Sequence, residues 1–206
     1  PLGKGMLSKP ETKLPKGVTT LRLVNPKGVD TMPTITHLNG IVNVVVDESC
    51  SSCTRMPTHF LCFSPNLISV DLAGLKNCTV VSNAFLHGCE LLEFVDLLPL
   101  SNCTAVGSFF LAGWKLLTSV ELSPLSNCSH LSQGFLAHCE GLKSVNLSPL
   151  SKVRKVAVGS FLEGCTLEEV IVVKGTYIAH VVGGMWLDNC KVVEMTTFDT
   201  TGTTTA

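Results

Sequence analysis

The stretch 117–141, LTSVELSPLSNCSHLSQGFLAHCEG, is one copy of a unit that recurs every 25 residues through the middle of the chain. Val70, Val95, Val120, Val145 and Val170 share that spacing, as do Leu72, Leu97, Leu122 and Leu147, then Leu75, Leu100, Leu125 and Leu150. Cys53, Cys78, Cys103 and Cys128 form a further column. Self-similarity at this period signals a stacked solenoid, in which each repeat touches mainly its neighbours.

Within the unit, Leu117, Val120 and Leu122 read as strand positions. Side chains alternate across a strand, so Val120 and Leu122 face one side and Ser119 and Glu121 the other. The first strand of every repeat is expected to pair in parallel with its neighbours at about 4.8 Å. The following SPLSNC is turn-rich, with Pro99, Pro124 and Pro149 in one column; proline lacks an N–H and fixes φ, which suits a corner. A short extended element follows at Val81, Val106 and Leu131. Phe85, Phe110 and Phe135, each followed by Leu, open a turn expected to be a short helical or 3₁₀ piece. Phe161, Leu162 and Cys165 restate that turn one residue late.

The period continues to Trp186, Leu187 and Cys190 and back to Phe60 and Leu61. About six 25-residue turns are therefore expected over 41–197. Residues 1–40, with Pro10, Pro15, Pro26 and Pro33 among them, read as a partly irregular lead-in carrying one strand near Thr19–Val24. Residues 198–206 form a Thr-rich tail. Val192, Val193 and Met195 read as a last strand with no closing helix in view, so an open edge and end-to-end self-association are expected there.

Composition narrows the function classes. Apolar residues make up 45% of the 206 positions and charged ones 15%, against roughly 25% charged in an average domain. Mean hydropathy is +0.38, yet no apolar run nears the roughly 20 residues of a spanning helix. A net charge of −1 disfavours nucleic acid, which calls for a dense Lys/Arg surface. Charge is uneven: residues 1–40 hold Lys4, Lys9, Lys13, Lys16, Arg22 and Lys27 against Glu11 and Asp30.

The wording of the unit resembles the leucine-rich repeat, and within it the BspA-like class, also called the Treponema pallidum type. The likeness rests on the L-x-x-V-x-L-S-P-L strand and corner, on Thr104–Ser108 and on the F-L-x-G-C turn at Phe161–Cys165. The phrase L-S-P-L-S-N also looks like repeat proteins of some protozoa, where such arrays are often surface antigens. The resemblance implies an α/β, β-rich solenoid: a right-handed superhelix with parallel strands on one face and short strands, turns or 3₁₀ pieces on the other. It further implies a non-enzymatic scaffold that binds another protein. A secreted or surface-displayed adhesin or antigen fragment is the alternative.

The residue inventory fits a non-enzyme. There is no G-x-S-x-G, Walker loop, H-E-x-x-H or paired-carboxylate motif, and no cofactor is expected. Cys50, Cys53, His59 and Cys62 have zinc-like spacing, but Cys53 and Cys62 already have places in the repeat, and no metal site is expected. The cysteine columns read as buried thiols packing as small hydrophobes, pointing to a reducing compartment. Asn77, Asn102, Asn127 and Asn146 stand in N-x-S/T acceptor triplets, which point to a secretory one. The same asparagines can instead bond backbone at the corners. Candidate protein-binding residues are the outward strand positions: Ser69, Asp71, Phe94, Asp96, Ser119, Glu121, Ser144, Asn146 and Glu169. Asp71, Asp96 and Glu121 would align as an acidic column, at a cost from like charges on adjacent strands.

Overall fold

The computed structural model describes residues 17–25, 27–157, 159–185 and 189–196. The basic segment before Gly17, the Trp186–Leu187 continuation and the Thr-rich tail lie outside the described residues. In chain order the strands are β1 (Thr20–Leu23), β2 (Asn43–Val46), β3 (Arg55–Met56), β4 (Ser69–Asp71), β5 (Val80–Val81), β6 (Ala105–Val106), β7 (His130–Leu131), β8 (Ser144–Asn146), β9 (Lys155–Val156), β10 (Glu169–Val173) and β11 (Lys191–Met195). Among the described residues one α-helix, α1 (Tyr177–Gly183), lies between the last two.

Every strand pair is parallel. The second extended element of each repeat builds a continuous back sheet, β3-β5-β6-β7-β9, whose register steps by 25 residues from Arg55 to Val80, Ala105, His130 and Lys155. The front element behaves differently from expectation. It pairs only at the two ends of the stack, as β1-β2-β4 and as β8-β10-β11. Among the described residues, no backbone hydrogen bond joins 93–96 or 118–121 to a neighbouring turn.

The cause lies in the side chains that pairing would bring opposite one another. The middle strand of each paired front set is a β-branched run, Val44–Val46 in β2 or Val170–Val173 in β10, and such residues favour strands. There, Asp71 stands opposite Val45 and Asn146 opposite Ile171. In the central turns, pairing would set Asp71 against Asp96 and Asp96 against Glu121, and like charges directly opposite destabilise a sheet.

The corner and the Phe-Leu turn exchange their expected roles. The corner is the 3₁₀ element, at Ala73–Leu75, Leu98–Leu100, Ser123–Leu125 and Ser148–Leu150. The Phe-Leu turn is not helical. Its alternate residues take positive φ: Ala84, Leu86 and Gly88 in one turn, then Phe109, Leu111 and Gly113, then Gly134, Leu136 and His138. Alternation aims successive N–H groups in opposite directions along the stack. Leu86 donates back to Phe60 while Ala84 and Gly88 donate forward to Ser108 and Ala112; Leu111, Phe109 and Gly113 repeat this with Phe85, Gln133 and Ala137. A helix would have kept these bonds within the turn.

The interior is a set of side-chain ladders. Phe60, Phe85, Phe110, Phe135 and Phe161 stack with ring centroids 5.6–5.8 Å apart, and all five are fully buried. Beside them runs a column of donors into the preceding turn. Cys89 Sγ donates to the Leu61 carbonyl, Trp114 Nε1 to Leu86, and Cys139 Sγ to Leu111, at 3.1, 2.7 and 3.3 Å. The indole of Trp114 thus performs the task of a thiol. Burial pushes the Cys89 thiol up to about 12, so it remains a donor at neutral pH.

The stack begins before residue 41: β1 pairs with β2, and Leu21, Leu23, Met32, Ile35 and Leu38 belong to the same core. At the other end, α1 was not foreseen from the sequence. Thr176 caps it by accepting the Ala179 N–H, and Ile178, Val181 and Val182 supply a buried i, i+3, i+4 face. No described helix is long and apolar enough to cross a membrane.

Aromatic rings on the outside of the Phe-Leu turns lie over glycines of the next turn. A methyl added at Gly134, where φ is +70°, would overlap the Phe109 ring. Gly134→Ala is therefore expected to cost about 2 kcal/mol or more in a urea unfolding curve, from left-handed strain and overpacking. Phe109→Ala in the same chain should recover part of that loss; full additivity of the two changes would refute the ring-over-glycine contact.

Candidate functional site

The outward row of the front face is set by alternation. Val95 and Leu97 are buried while Phe94, Asp96 and Leu98 point out from one extended stretch. Ser69, Asp71, Ser119, Glu121, Ser144 and Asn146 are exposed in the flanking turns, and Glu169 is half-buried beside Lys191 at 3.5 Å. The geometry places the nine expected residues on successive turns of one face.

The acidic column has a structural task that its alignment alone did not reveal. Each member accepts the N–H two residues on, at the entry of the corner. Asp71 Oδ1 takes Ala73 N–H at 2.9 Å, Asp96 Oδ1 takes Leu98 N–H at 2.8 Å, and Glu121 Oε1 takes Ser123 N–H at 2.8 Å. Asn146 does the same with Ser148 at 3.0 Å, and Asp47, one turn earlier, with Ser49 at 2.8 Å. These side chains satisfy donors that a 3₁₀ start leaves orphaned. The compensation for their mutual repulsion is therefore local backbone, with no need of a cationic partner.

Asp47 also shows what the second oxygen can hold. Its Oδ2 accepts from the Arg22 guanidinium, with Nε at 2.9 Å. The Ser49 bonds and Arg22 together lower its carboxyl to about 2. Among the described residues, no salt bridge joins a cation to Asp71, Asp96 or Glu121.

Two exposed apolar residues on these turns, Leu98 and Ile68, were not singled out from sequence. Leu98 is 64% exposed, on the same stretch as Phe94 at 65%, and Ile68, on the preceding turn, is 56% exposed. Leu98 stands where the later repeats hold Ser123 and Ser148. That departure from the column was the available signal.

A second row, also unanticipated, runs along the Phe-Leu turns. His37, Phe63, His87 and Phe109 follow one another with centroids 5.5, 4.9 and 5.4 Å apart. His87 is wedged between the two phenylalanines with Nδ1 3.1 Å from the Ala112 carbonyl. A carbonyl only accepts, so Nδ1 carries the proton.

The asparagine column bonds the preceding turn. Asn77, Asn102 and Asn127 Nδ2 donate to the carbonyls of Ser51, Lys76 and Ser101 at 2.8, 2.8 and 3.2 Å. All three side chains are exposed, and an amide nitrogen has two hydrogens. Cysteines form interior ladders: Cys103 Sγ donates to the Cys78 carbonyl and Cys128 Sγ to Cys103, at 3.3 and 3.4 Å. The zinc-spaced set is dispersed, Cys50 Sγ facing the Leu23 carbonyl and Cys53 Sγ that of Val29. Among the described residues, no group of three His, Cys, Asp or Glu side chains converges as metal ligands would.

No family model matches the chain, and no curated protein matches it. Among solved structures, a leucine-rich repeat protein from Bacteroides ovatus ATCC 8483 is similar at 12% identity and a TM-score of 0.46, over 85% of this chain and 59% of that one. This chain therefore spans less than two thirds of that protein's length.

Two outcomes are expected from the site geometry. Asp96→Ala should lower stability by about 0.5–2 kcal/mol through the lost cap. Asp96→Asn, which copies Asn146, should keep the cap, relieve the repulsion and leave stability equal or slightly higher. Equal losses in thermal melts would contradict the cap-plus-repulsion account. Separately, burial lowers the His87 pKa; the Ala112 bond opposes that shift, and the nearby His138 and His59 add to it. The unfolded chain then binds the proton more readily, so stability contributed at neutral pH is lost as pH falls below about 6.5. His87→Gln should flatten that acid-side decline, and an unchanged slope would remove His87 from it.

Proposed function

We propose that this chain is a leucine-rich-repeat solenoid of the BspA-like type, a right-handed superhelix that binds another protein through its front face and performs no chemistry of its own. In this reading the 25-residue repeats occupy 41–197, the lead-in 1–40 adds the β1 rung to the stack before them and the tail 198–206 follows; the contact residues are Ser69, Asp71, Phe94, Asp96, Ser119, Glu121, Ser144, Asn146 and Glu169, joined by Leu98 and Ile68. The observation that carries it is the exposure of Phe94 and Leu98, 65% and 64%, on a row whose other members are polar. Exposed aromatic anchors with an apolar neighbour and a polar rim are the anatomy of a protein interface. Nothing in the packing calls for them, since the same columns hold Ser119 and Ser123 in the next repeat.

That substitution pattern supplies the test. Phe94→Ser and Leu98→Ser install residues the stack already accepts, so melting temperature should hold. Affinity for a partner recovered by pull-down should fall by roughly tenfold or more, as for loss of an interface anchor. Undiminished affinity with an intact fold would remove the front face from the reading.

The surface-displayed alternative draws on one observation: three acceptor asparagines in consecutive turns are solvent-exposed, and each retains a free amide hydrogen beyond its bond to the preceding turn. Glycan at Asn77, Asn102, Asn127 or Asn146 would appear as added mass on protein from its native source. An unglycosylated, fully reduced mass would count against display.

A further inference from the structure

We propose that the front face is a docking site for the chain's own lysine-rich N-terminal segment, residues 1–16. The inference rests on the reading of that face as a protein-binding surface. It names the first occupant.

The face presents two chemistries side by side. Ile68, Phe94 and Leu98 offer uncovered apolar surface on two adjoining turns. Along these turns and the next, the exposed Asp71, Asp96 and Glu121 each commit one oxygen to a backbone N–H and have a second oxygen to offer. Capping fixes these carboxylates before any ligand arrives, so little side-chain freedom is lost on binding. The column's first member displays the outcome: Asp47 has the same cap, and its other oxygen carries the Arg22 guanidinium from the preceding turn. The following three rungs repeat the acceptor, and among the described residues no cation pairs with them.

An occupant that fits carries cations and apolar side chains in one short segment. PLGKGMLSKPETKLPK does: Lys4, Lys9, Lys13 and Lys16 against the single Glu11, with Leu2, Met6, Leu7 and Leu14 between them. The remaining chain has a net negative balance, so the segment and the face have opposite charge. The tether also suffices. The segment leads directly into β1, the first front rung. From there to Phe94 is three turns, about 15 Å at strand spacing, while sixteen extended residues span about 50 Å. A tethered ligand acts at high effective concentration, so even weak contacts hold it in place. An external partner must then compete with residues 1–16 for Phe94 and Leu98.

The test uses the full chain with a photoreactive benzoylphenylalanine in place of Phe94. Illumination should yield adducts to residues 1–16, located by peptide mass mapping. In a mixture of unlabelled and heavy-nitrogen-labelled chains, these adducts should join peptides of like label. Reversing the lysines (K4E, K9E, K13E and K16E together) should cut the yield by about fivefold or more, and high salt should do likewise, because exposed ion pairs are screened. Adducts confined to other segments would overturn the proposal. So would mixed-label adducts, which make a second copy the occupant, or a yield indifferent to lysine reversal. The two failures are separable. If Phe94→Ser abolishes partner capture while no adduct to 1–16 forms, the face binds proteins but not this segment. If the adduct forms and capture ignores Phe94→Ser, the internal contact stands and the front-face reading falls.

Discussion

The structure depends on one peptide segment that hydrogen-bonds in two directions. In each Phe-Leu turn, residues of positive φ alternate with ordinary ones, so Leu86, Leu111 and Leu136 donate to the turn before while their neighbours donate to the turn after. Left-handed backbone at a non-glycine residue costs on the order of 1–2 kcal/mol, and several such residues recur per repeat. A lone repeat has no means to offset that cost. Adjacent turns do, because each supplies the acceptors the other requires, while the Phe ladder fills the space between them. Stability is thus a property of the interfaces, as expected for a quasi-one-dimensional stack.

Much of this was legible in the sequence, for a physical reason. A 25-residue period repeats the same environment, so every buried column must repeat its residue: Phe60 to Phe161 inside and Leu75 to Leu150 at the corner. What periodicity does not encode is backbone sign. Leu86 and Leu111 carry no mark of positive φ, since leucine is a poor left-handed residue; the glycines at 88, 113 and 134 were the visible trace of it. The 3₁₀ corner was hidden for a related reason, because S-P-L is compatible with a turn or a short helix. The outward acids show a third limit. Their alignment read as an unexplained charge row, yet the caps that occupy them depend on backbone geometry i+2 away. The helix α1 escaped because its seven residues, with one buried i, i+3, i+4 face, are short against the repeat around them.

The same acids link fold to face. They hold the corners, and their repulsion keeps the central front segments from closing into a sheet. The middle of the front face consequently has, among the described residues, no backbone hydrogen bonds between turns at 93–96 and 118–121, and it is there that Phe94 and Leu98 are exposed. An interaction surface can vary there without disturbing the ladders, since what ties the turns together lies at the back sheet and in the Phe-Leu turns. The row of His37, Phe63, His87 and Phe109 belongs to that second region, where rings seat on the glycines of the following turn.

Residue-resolved amide hydrogen exchange tests this division most directly. Amides that tie the turns, such as Thr104 and Ser129 in the back and Leu86, Leu111 and Leu136 in the Phe-Leu turns, should be protected nearly to the limit set by global unfolding. Amides of Phe94, Val95, Ser119 and Val120 should exchange faster by roughly two orders of magnitude or more, within the span of local openings in folded proteins. Equal protection across the front and back of the central turns would mean that a continuous front sheet carries the stack, and would contradict the account.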